Sequence, residues 1–298
     1  MLRQSVAMLV TRQDGTYVDG TLGGGGHAAE IIAGLNSGGK LIAFDKDEEA
    51  IKYCRTGILG GNLSGAVMPD VVFINDSFDK ACSINEGIDG ILLDLGLSSR
   101  QLDEAERGFS FRHNAPIDMR FGGKGESAED VLSAYSADEL RDIFRKYGEE
   151  PFARVIARRI VEIRRATPFK TTSDLANAVA SVVPQRFLNK ALARIFQAVR
   201  IAVNRELEVL EYTLENICNV LRPGGRIVVI SYHSLEDRIV KNIFRTKSRP
   251  QKFDDIYGKA IDVPELKIIT KKPIIPDEDE LERNPRARSA KLRVAEKL

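Results

Sequence analysis

Over the first third of the chain, short β-branched and aliphatic runs alternate with stretches of helical periodicity, the pattern of a parallel sheet covered by helices. The runs predicted as strands are Thr16–Asp19, Lys40–Asp45, Val71–Asn75 and Gly90–Leu95. Each is apolar on both faces, which places it inside the sheet. Between them, "HAAEIIAGL" and "DEEAIKYCR" read as helices, the second with an acidic first turn suited to a helix N-terminus.

After Leu97 the β rhythm stops and does not return until the chain has passed Val203. Ser127-x-x-Asp130 and Ser136-x-x-Glu139 have the spacing of capping boxes, and Gly148 is the expected C-cap of the helix that follows the second one. Further helices are predicted over "PFARVIARRIVEIRRA", "SDLANAVASVV" and "LARIFQAVRIAV". The sheet pattern then resumes: an amphipathic "RELEVLEYTLENICNVL", a turn at "RPGG", and a fifth strand at Arg226–Ser231. A helix over "LEDRIVKNIFR" follows, and "LKIIT" and "AKLRVAE" are predicted to close the sheet as an antiparallel pair. The expected architecture is an α/β doubly wound sheet interrupted by an inserted all-helical domain, with 1–101 and 204–298 forming the sheet domain and 102–203 the insertion.

Net charge changes this picture little, because 298 residues carry a formal +1. Its distribution changes it more. From Pro151 to Arg200 there are ten basic residues against two acidic ones, and from Arg283 to Leu298 six against one. Such clusters attract phosphate backbones by counterion release, although arginines on an amphipathic helix also serve simply as its solvated face. Cys54, Cys82 and Cys218 are far apart with no C-x-x-C spacing, which excludes the usual zinc and dithiol patterns and points to a reducing compartment. No apolar run approaches the roughly 18 residues needed to cross a bilayer, so the expectation is a soluble, cytoplasmic protein with no membrane partner and no bound metal.

The candidate chemistry centres on "VDGTLGGGGHAAEII" (Val18 to Ile32). A glycine loop between a first strand and its helix presents backbone N–H groups and a helix N-terminus to a ligand. Gly23-x-Gly25-x-x-Ala28, with Asp45 at the end of the second strand, fits the dinucleotide fingerprint, which nicotinamide enzymes share with enzymes using S-adenosylmethionine. Asp19 separates the two. Its carboxylate precedes the loop, where it suits the ammonium of a methionine moiety and would repel a pyrophosphate. Asp76 and Phe78 follow the third strand where an adenine is expected, and Asp94 is a third acid at a strand end, so that Asp19, Asp45 and Asp94 should converge on one crevice.

Longer blocks carry a resemblance. "DGILLDLGLSSRQLDEAERGFSFRHNAPIDMRF", "GEEPFARVIARRIVEIRR", "FQAVRIAVNRELEVLE", "LRPGGRIVVISYHSLEDRIVK" and "NPRARSAKLRVAE" together resemble the ribosomal RNA small subunit methyltransferase H family over almost the whole chain. The resemblance implies a class I, Rossmann-like methyltransferase fold with an inserted helical, RNA-recognising domain. It also implies S-adenosyl-L-methionine as cofactor and N4-methylation of a cytidine in the decoding region of 16S ribosomal RNA within the small ribosomal subunit. On the family's pattern, Gly25, Gly26 and His27 take the glycine-loop positions, Asp45 the ribose position and Phe78 the position after the third strand, and Asp94 and Gln101 complete the donor site. Gln101 rests on resemblance alone. The chain departs from the family in having "MLRQSVAML" where members usually carry His-x-Pro-Val, and Ala191-Leu192-Ala193 where Pro-Ala-Thr is common.

An exocyclic cytosine amine is a poor nucleophile, so catalysis should consist of in-line positioning and of acceptors that localise its lone pair. Asp94 is the candidate for this, serving the donor, the amine or both. Ser98 and Ser99 offer further acceptors or, equally, a helix N-cap. Asp118 and His113 are candidates to take the proton, with Arg112 and Arg120 holding phosphate; alternatively Asp118 and Arg120 form a structural pair. His233 either faces the crevice or orients a loop, and Phe109 and Phe111 either stack on an extruded base or belong to a core. Two other classes stay open at this point: a nicotinamide oxidoreductase, for which no Tyr-x-x-x-Lys or similar constellation is present, and a non-catalytic RNA-binding factor. Monomer and homodimer are both compatible with the sequence.

Overall fold

The computed structural model describes residues 1–59, 68–98, 100–101, 105–250 and 261–298. The chain divides into two compact units, Met1–Gly96 together with Leu207–Leu298, and Leu97–Glu206. The helices whose full span lies among the described residues are, in chain order, α1 (Leu2–Leu9), α2 (Gly26–Gly34), α3 (Glu48–Leu59), α4 (Ala128–Ala134), α5 (Ala137–Gly148), α6 (Ala153–Ile163), α7 (Thr172–Ala180), α8 (Gln185–Asn204), α9 (Glu206–Asn216), α10 (Ser234–Lys247) and α11 (Glu278–Arg283). Five of them, α4 to α8, lie in the second unit.

The first unit is built on a seven-stranded sheet. Its strands are β1 (Thr16–Asp19), β2 (Lys40–Phe44), β3 (Asp70–Ile74), β4 (Ile88–Asp94), β5 (Leu221–Ser231), β6 (Leu266–Ile268) and β7 (Lys291–Lys297), in the order β3-β2-β1-β4-β5-β7-β6. β1 to β5 run parallel, and β7 pairs antiparallel with both β5 and β6, as the closing pair predicted from the sequence requires. Side chains alternate between two cores. Val18, Ile42, Ile91, Leu93 and Val229 pack on one face with Leu210, Leu214, Val240 and Phe244 of α9 and α10. Tyr17, Leu41, Leu92, Val228 and Ile230 pack on the other with Leu9, Ile31 and Ile51 of α1, α2 and α3. Covering both faces is what makes the central strands continuously apolar. β3 departs from the expectation that it lies inside the sheet: it stands at one end of the strand order and is exposed or half-buried along its length, because it has a neighbouring strand on β2's side alone among the described residues.

Strand order also fixes where a ligand can enter. The chain runs from β1 outward to β2 and β3, then returns to place β4 on the other side of β1. The crossovers diverge there, leaving a crevice outside the carboxyl ends of β1 and β4, the usual binding position in open α/β sheets. The "RPGG" segment is not a separate turn. It lies within β5, opposite a register shift between Ile88 and Gly90, with Gly224 at a φ of 81°.

The helical unit has its own core, in which Phe144, Ile156, Ile160, Leu175, Ile195 and Val199 are buried. Ser127 with Asp130 and Ser136 with Glu139 form the capping boxes predicted for α4 and α5, and Thr171 with Asp174 forms a third at α7. Gly148 differs from expectation. It is the last residue of α5, and the left-handed C-cap position is taken by Glu149, with a φ of 48°. Gly148 is instead a close approach: a Cβ there would lie 2.8 Å from the Arg194 carbonyl oxygen of α8. Asn204 ties the end of α8 to an irregular segment, donating from Nδ2 to the Met119 carbonyl at 2.7 Å and accepting the Phe121 amide at 2.8 Å.

Candidate active site

Three carboxylates stand at or just past the ends of adjacent parallel strands. Asp19 is the last residue of β1, Asp94 the last of β4, and Asp45 follows β2 directly. Asp19 has no solvent exposure; its Oδ1 accepts the Thr21 amide at 3.1 Å, and its Oδ2 is buried with no hydrogen-bond partner. Burial pushes this carboxyl up to about 7, and the neighbouring charges of Asp94 and Asp45 push the same way. A buried acceptor without a donor is costly, so such an oxygen marks a place where a cationic or N–H group belongs.

Asp94 is held from three sides. Its amide donates to Thr21 Oγ1 at 2.7 Å, its Oδ1 accepts the Tyr232 hydroxyl at 3.0 Å, and its Oδ2 lies 3.6 Å from His27 Nδ1. Burial raises the carboxyl to about 6 while the Tyr232 hydrogen bond opposes the rise; 26% of the side chain still meets solvent, which tempers the burial effect. Burial likewise pushes the His27 imidazole down to about 4, so it is neutral near pH 7 and its contact with Asp94 is no ion pair there. His27 Nε2 is buried without a hydrogen-bond partner.

The glycine loop is stitched to the strands on either side. Gly20 donates to the Leu92 carbonyl of β4 at 2.9 Å, Leu22 to the Phe44 carbonyl of β2 at 3.0 Å, and Gly23 to Asp45 Oδ2 at 2.8 Å. Asp45 Oδ1 in turn accepts the Asp47 amide at 2.8 Å. Gly25 caps α2 in the left-handed region, with a φ of 78°, where a side chain would be strained. A Cβ at Gly24 would meet nothing within 4 Å, and one at Gly26 only Leu2, 3.7 Å away, so open space lies over the loop at the helix N-terminus. Phe78 begins a short 3-10 helix, Phe78–Ser83, half-buried, and its Cβ would stand 2.9 Å from a Cβ placed on Gly20.

These residues fit S-adenosylmethionine. Its α-ammonium would meet the orphaned Asp19 oxygen, the open glycine loop can receive the methionine end, and an acid after β2 is placed for ribose hydroxyls. The first unit thus brings together Asp19, Gly25, Gly26, His27, Asp45, Phe78 and Asp94. Thr21 and Tyr232 were not among the residues singled out from the sequence. Thr21 bonds both strand-end acids, and Tyr232 holds Asp94 from the far side of the sheet order; the only local signal was the position of Tyr232 just past the end of a predicted strand.

Other candidates resolve into structural roles. His233 is the N-cap of α10, its Nδ1 accepting the Glu236 amide at 3.4 Å while Glu236 Oε2 accepts the His233 amide. In the helical unit, Ser98 Oγ accepts the Gln101 amide at 3.2 Å and Gln101 Oε1 accepts the Ser98 amide at 3.0 Å, the reciprocal pattern of a helix cap. Ser99 lies outside the described residues. Asp118 is gripped by Arg120 through both oxygens, at 2.9 and 2.5 Å, which holds its carboxyl below the usual carboxylate range and makes it a weak base. Phe109 is buried against Phe121 and Phe111 packs edge-on against Phe196, so both belong to the core of that unit.

A family model described as the MraW methylase family matches residues 1–298. The ribosomal RNA small subunit methyltransferase H of Elusimicrobium minutum is 46% identical over 297 residues, covering 98% of this chain and 94% of its own length. Proteins of the same name from Magnetococcus marinus and Clostridium botulinum are each 42% identical, over 310 and 308 residues, covering 100% of this chain and 97% of their own lengths. Among the described residues no helix is long and apolar enough to cross a membrane.

Proposed function

The chain belongs to the MraW methylase family, and on that premise we propose that it methylates N4 of a cytidine in the decoding region of 16S ribosomal RNA within the small ribosomal subunit. The observation that carries the donor assignment is the buried, unpartnered Oδ2 of Asp19 among strand-end acids. S-adenosylmethionine, when bound, supplies a methyl group on a cationic sulfonium.

Asp19 gives up its proton as it takes the donor's ammonium, because a facing cation reverses the burial penalty on the carboxylate. Gly25, Gly26 and His27 receive the methionine end with the backbone of the α2 N-terminus, Asp45 accepts from the ribose, and Phe78 offers an apolar face to the adenine. The family resemblance implies a further donor contact from Gln101, whose side chain here caps the Ser98 amide. Asp94 is the residue placed to accept an N–H of the target amine: with its backbone amide tied to Thr21 and its carboxylate oriented by the Tyr232 hydroxyl, it withdraws the lone pair from the ring and fixes it on the line of transfer. The helical unit, Leu97–Glu206, supplies the basic surface for RNA. Names of the relatives support a small-subunit RNA substrate, and the family resemblance supports the cytosine N4 target.

The test is transfer of a labelled methyl from S-adenosylmethionine to naked 16S RNA, assembling particles and mature subunits, with the product nucleosides digested and identified by mass spectrometry. N4-methylcytidine in at least one substrate is the expected result. RNA binding with no transfer to any of the three would convert the protein into an assembly factor.

A further inference from the structure

At the surface of the helical unit stands an aromatic pair in which half-buried Phe152 packs on the edge of that unit's core and carries the exposed Phe187 outside it. Phe152 precedes α6 and Phe187 lies in the first turn of α8; their ring centroids are 5.8 Å apart at 38°, and Phe187 is 40% exposed. The Arg186 guanidinium sits over the Phe187 ring, 4.7 Å from its centroid. Val155, one turn along α6 from Phe152, is 45% exposed and extends the apolar surface. Single exposed aromatics are common, but two rings from separate helices in contact beneath a cation are not scattered surface.

The surroundings are strongly basic. Lys190 lies one turn beyond Phe187 on α8, and Arg154 and Arg158 are exposed on α6; among the described residues none of the three is in an ion pair. Arg194, a further turn on, is 3.7 Å from the buried Glu150, whose other oxygen accepts the Phe152 amide at 2.9 Å. This acid therefore anchors the start of α6 and cancels one positive charge out of many.

We propose that Phe152, Phe187 and Arg186 form a stacking site for an unpaired base of the RNA substrate, with Lys190, Arg154 and Arg158 holding the flanking phosphates. The inference rests on the reading of the protein as an RNA methyltransferase and adds where single-stranded RNA docks on it. Flat aromatic surface within a cationic field is the means by which proteins hold unstacked bases, whereas an A-form duplex offers it no accessible base face. A protein partner would meet a surface carrying several unpaired cations, which the charge argues against.

The protein contains no tryptophan, so Phe187→Trp introduces a single fluorophore at the site. Titrating this variant with a mixed-sequence single-stranded RNA of about a dozen nucleotides should quench its emission, and added salt should reverse the quenching. In the methyl-transfer assay, Phe187→Ala should raise KM for the ribosomal substrate about 5- to 150-fold, the range measured for loss of one stacked base, with kcat unchanged. Phe187→Tyr should restore the wild-type KM. Unaltered emission under conditions where anisotropy of labelled RNA reports binding, together with an unchanged KM for Phe187→Ala, would overturn the proposal. Quenching by protein-bearing particles but not by naked RNA would also overturn it, since the occupant would then be a protein. Absence of methyl transfer by the wild type would instead strike the functional reading, and the fluorescence titration would still decide the docking site.

Discussion

The Tyr232 hydroxyl donates to Asp94 Oδ1 at 3.0 Å, joining the residue just beyond β5 to the last residue of β4 across 138 positions of sequence. The bond stabilises the ionised carboxylate, and burial works against it.

Removing that hydroxyl should move the pH dependence of the reaction. In Tyr232→Phe the carboxylate loses its donor, so Asp94 should titrate above its present value of about 6 and the acidic limb of kcat should shift to higher pH. Loss of a hydrogen bond to a charged group also predicts a rate decrease corresponding to roughly 1.5–3 kcal/mol at neutral pH. A kcat-pH profile of the two proteins checks both. An unshifted limb would mean that Asp94 does not act as the ionised acceptor.

Asp19→Asn separates stability from binding. The folded carboxyl titrates at about 7, above its unfolded value, so the folded state holds the proton between about pH 4 and 7. The contribution of this group is therefore greatest below pH 4 and is lost as the pH rises through 7; Asp94, raised in the same direction, adds to the trend. Without donor, the asparagine variant should melt higher than wild type at pH 8, by on the order of 2 kcal/mol, and should show a flatter stability-pH curve. Calorimetric titration should at the same time show S-adenosylmethionine binding weakened at least about tenfold, since a buried charge partner is gone. Undiminished donor affinity would remove Asp19 from the ammonium position.

Gly20→Ala tests the packing beneath the site. A Cβ there would stand 2.5 Å from Leu93 Cδ2 and 2.9 Å from Phe78 Cβ, so Leu93 and Phe78 must shift. The expected cost is about 1–3 kcal/mol by chemical denaturation, with weakened donor binding because Phe78 is displaced. Full retention of donor affinity in a destabilised variant would show that Phe78 makes no contact with the donor.

Asp118→Asn should behave as loss of a structural pair. Arg120 keeps this carboxyl acidic, so it is ionised across the working range and a poor proton acceptor. Stability should fall by about 1 kcal/mol, with the shape of the kcat-pH profile unchanged, because the pair is partly exposed. Disappearance of the acidic limb would instead make Asp118 a catalytic base.

Much of the sheet was legible because burial on both faces is written into consecutive residues. β1 spans Thr16–Asp19 as predicted, and the closing antiparallel pair was visible in the alternation of its last two strands. The capping boxes of α4 and α5 were equally local, a serine and an acid three residues apart. α1 and α11 were not foreseen, the first lying within "MLRQSVAML", which stood out only as a departure from the family pattern, the second between short polar runs. Phe109 and Phe111 show the limit of spacing as a guide. Two aromatics two apart are equally compatible with display and with burial, and their fate was decided by Phe121 and Phe196, which no local pattern joins to them.

By itself the sequence determined which residues end the central strands in carboxylates, where the glycine loop lies, and that a helical segment interrupts the sheet, since all of these follow from the periodicity and chemistry of neighbouring residues. Tertiary structure alone decided that Asp19 keeps an unpartnered oxygen, that Thr21 and Tyr232 brace Asp94, that Asp118 is consumed by Arg120, and that Phe152 meets Phe187 at the surface. The reason is physical: a pKa and a hydrogen-bond partner depend on what strand order and helix packing bring within a few ångströms, and those neighbours are set by the fold and not by distance along the chain.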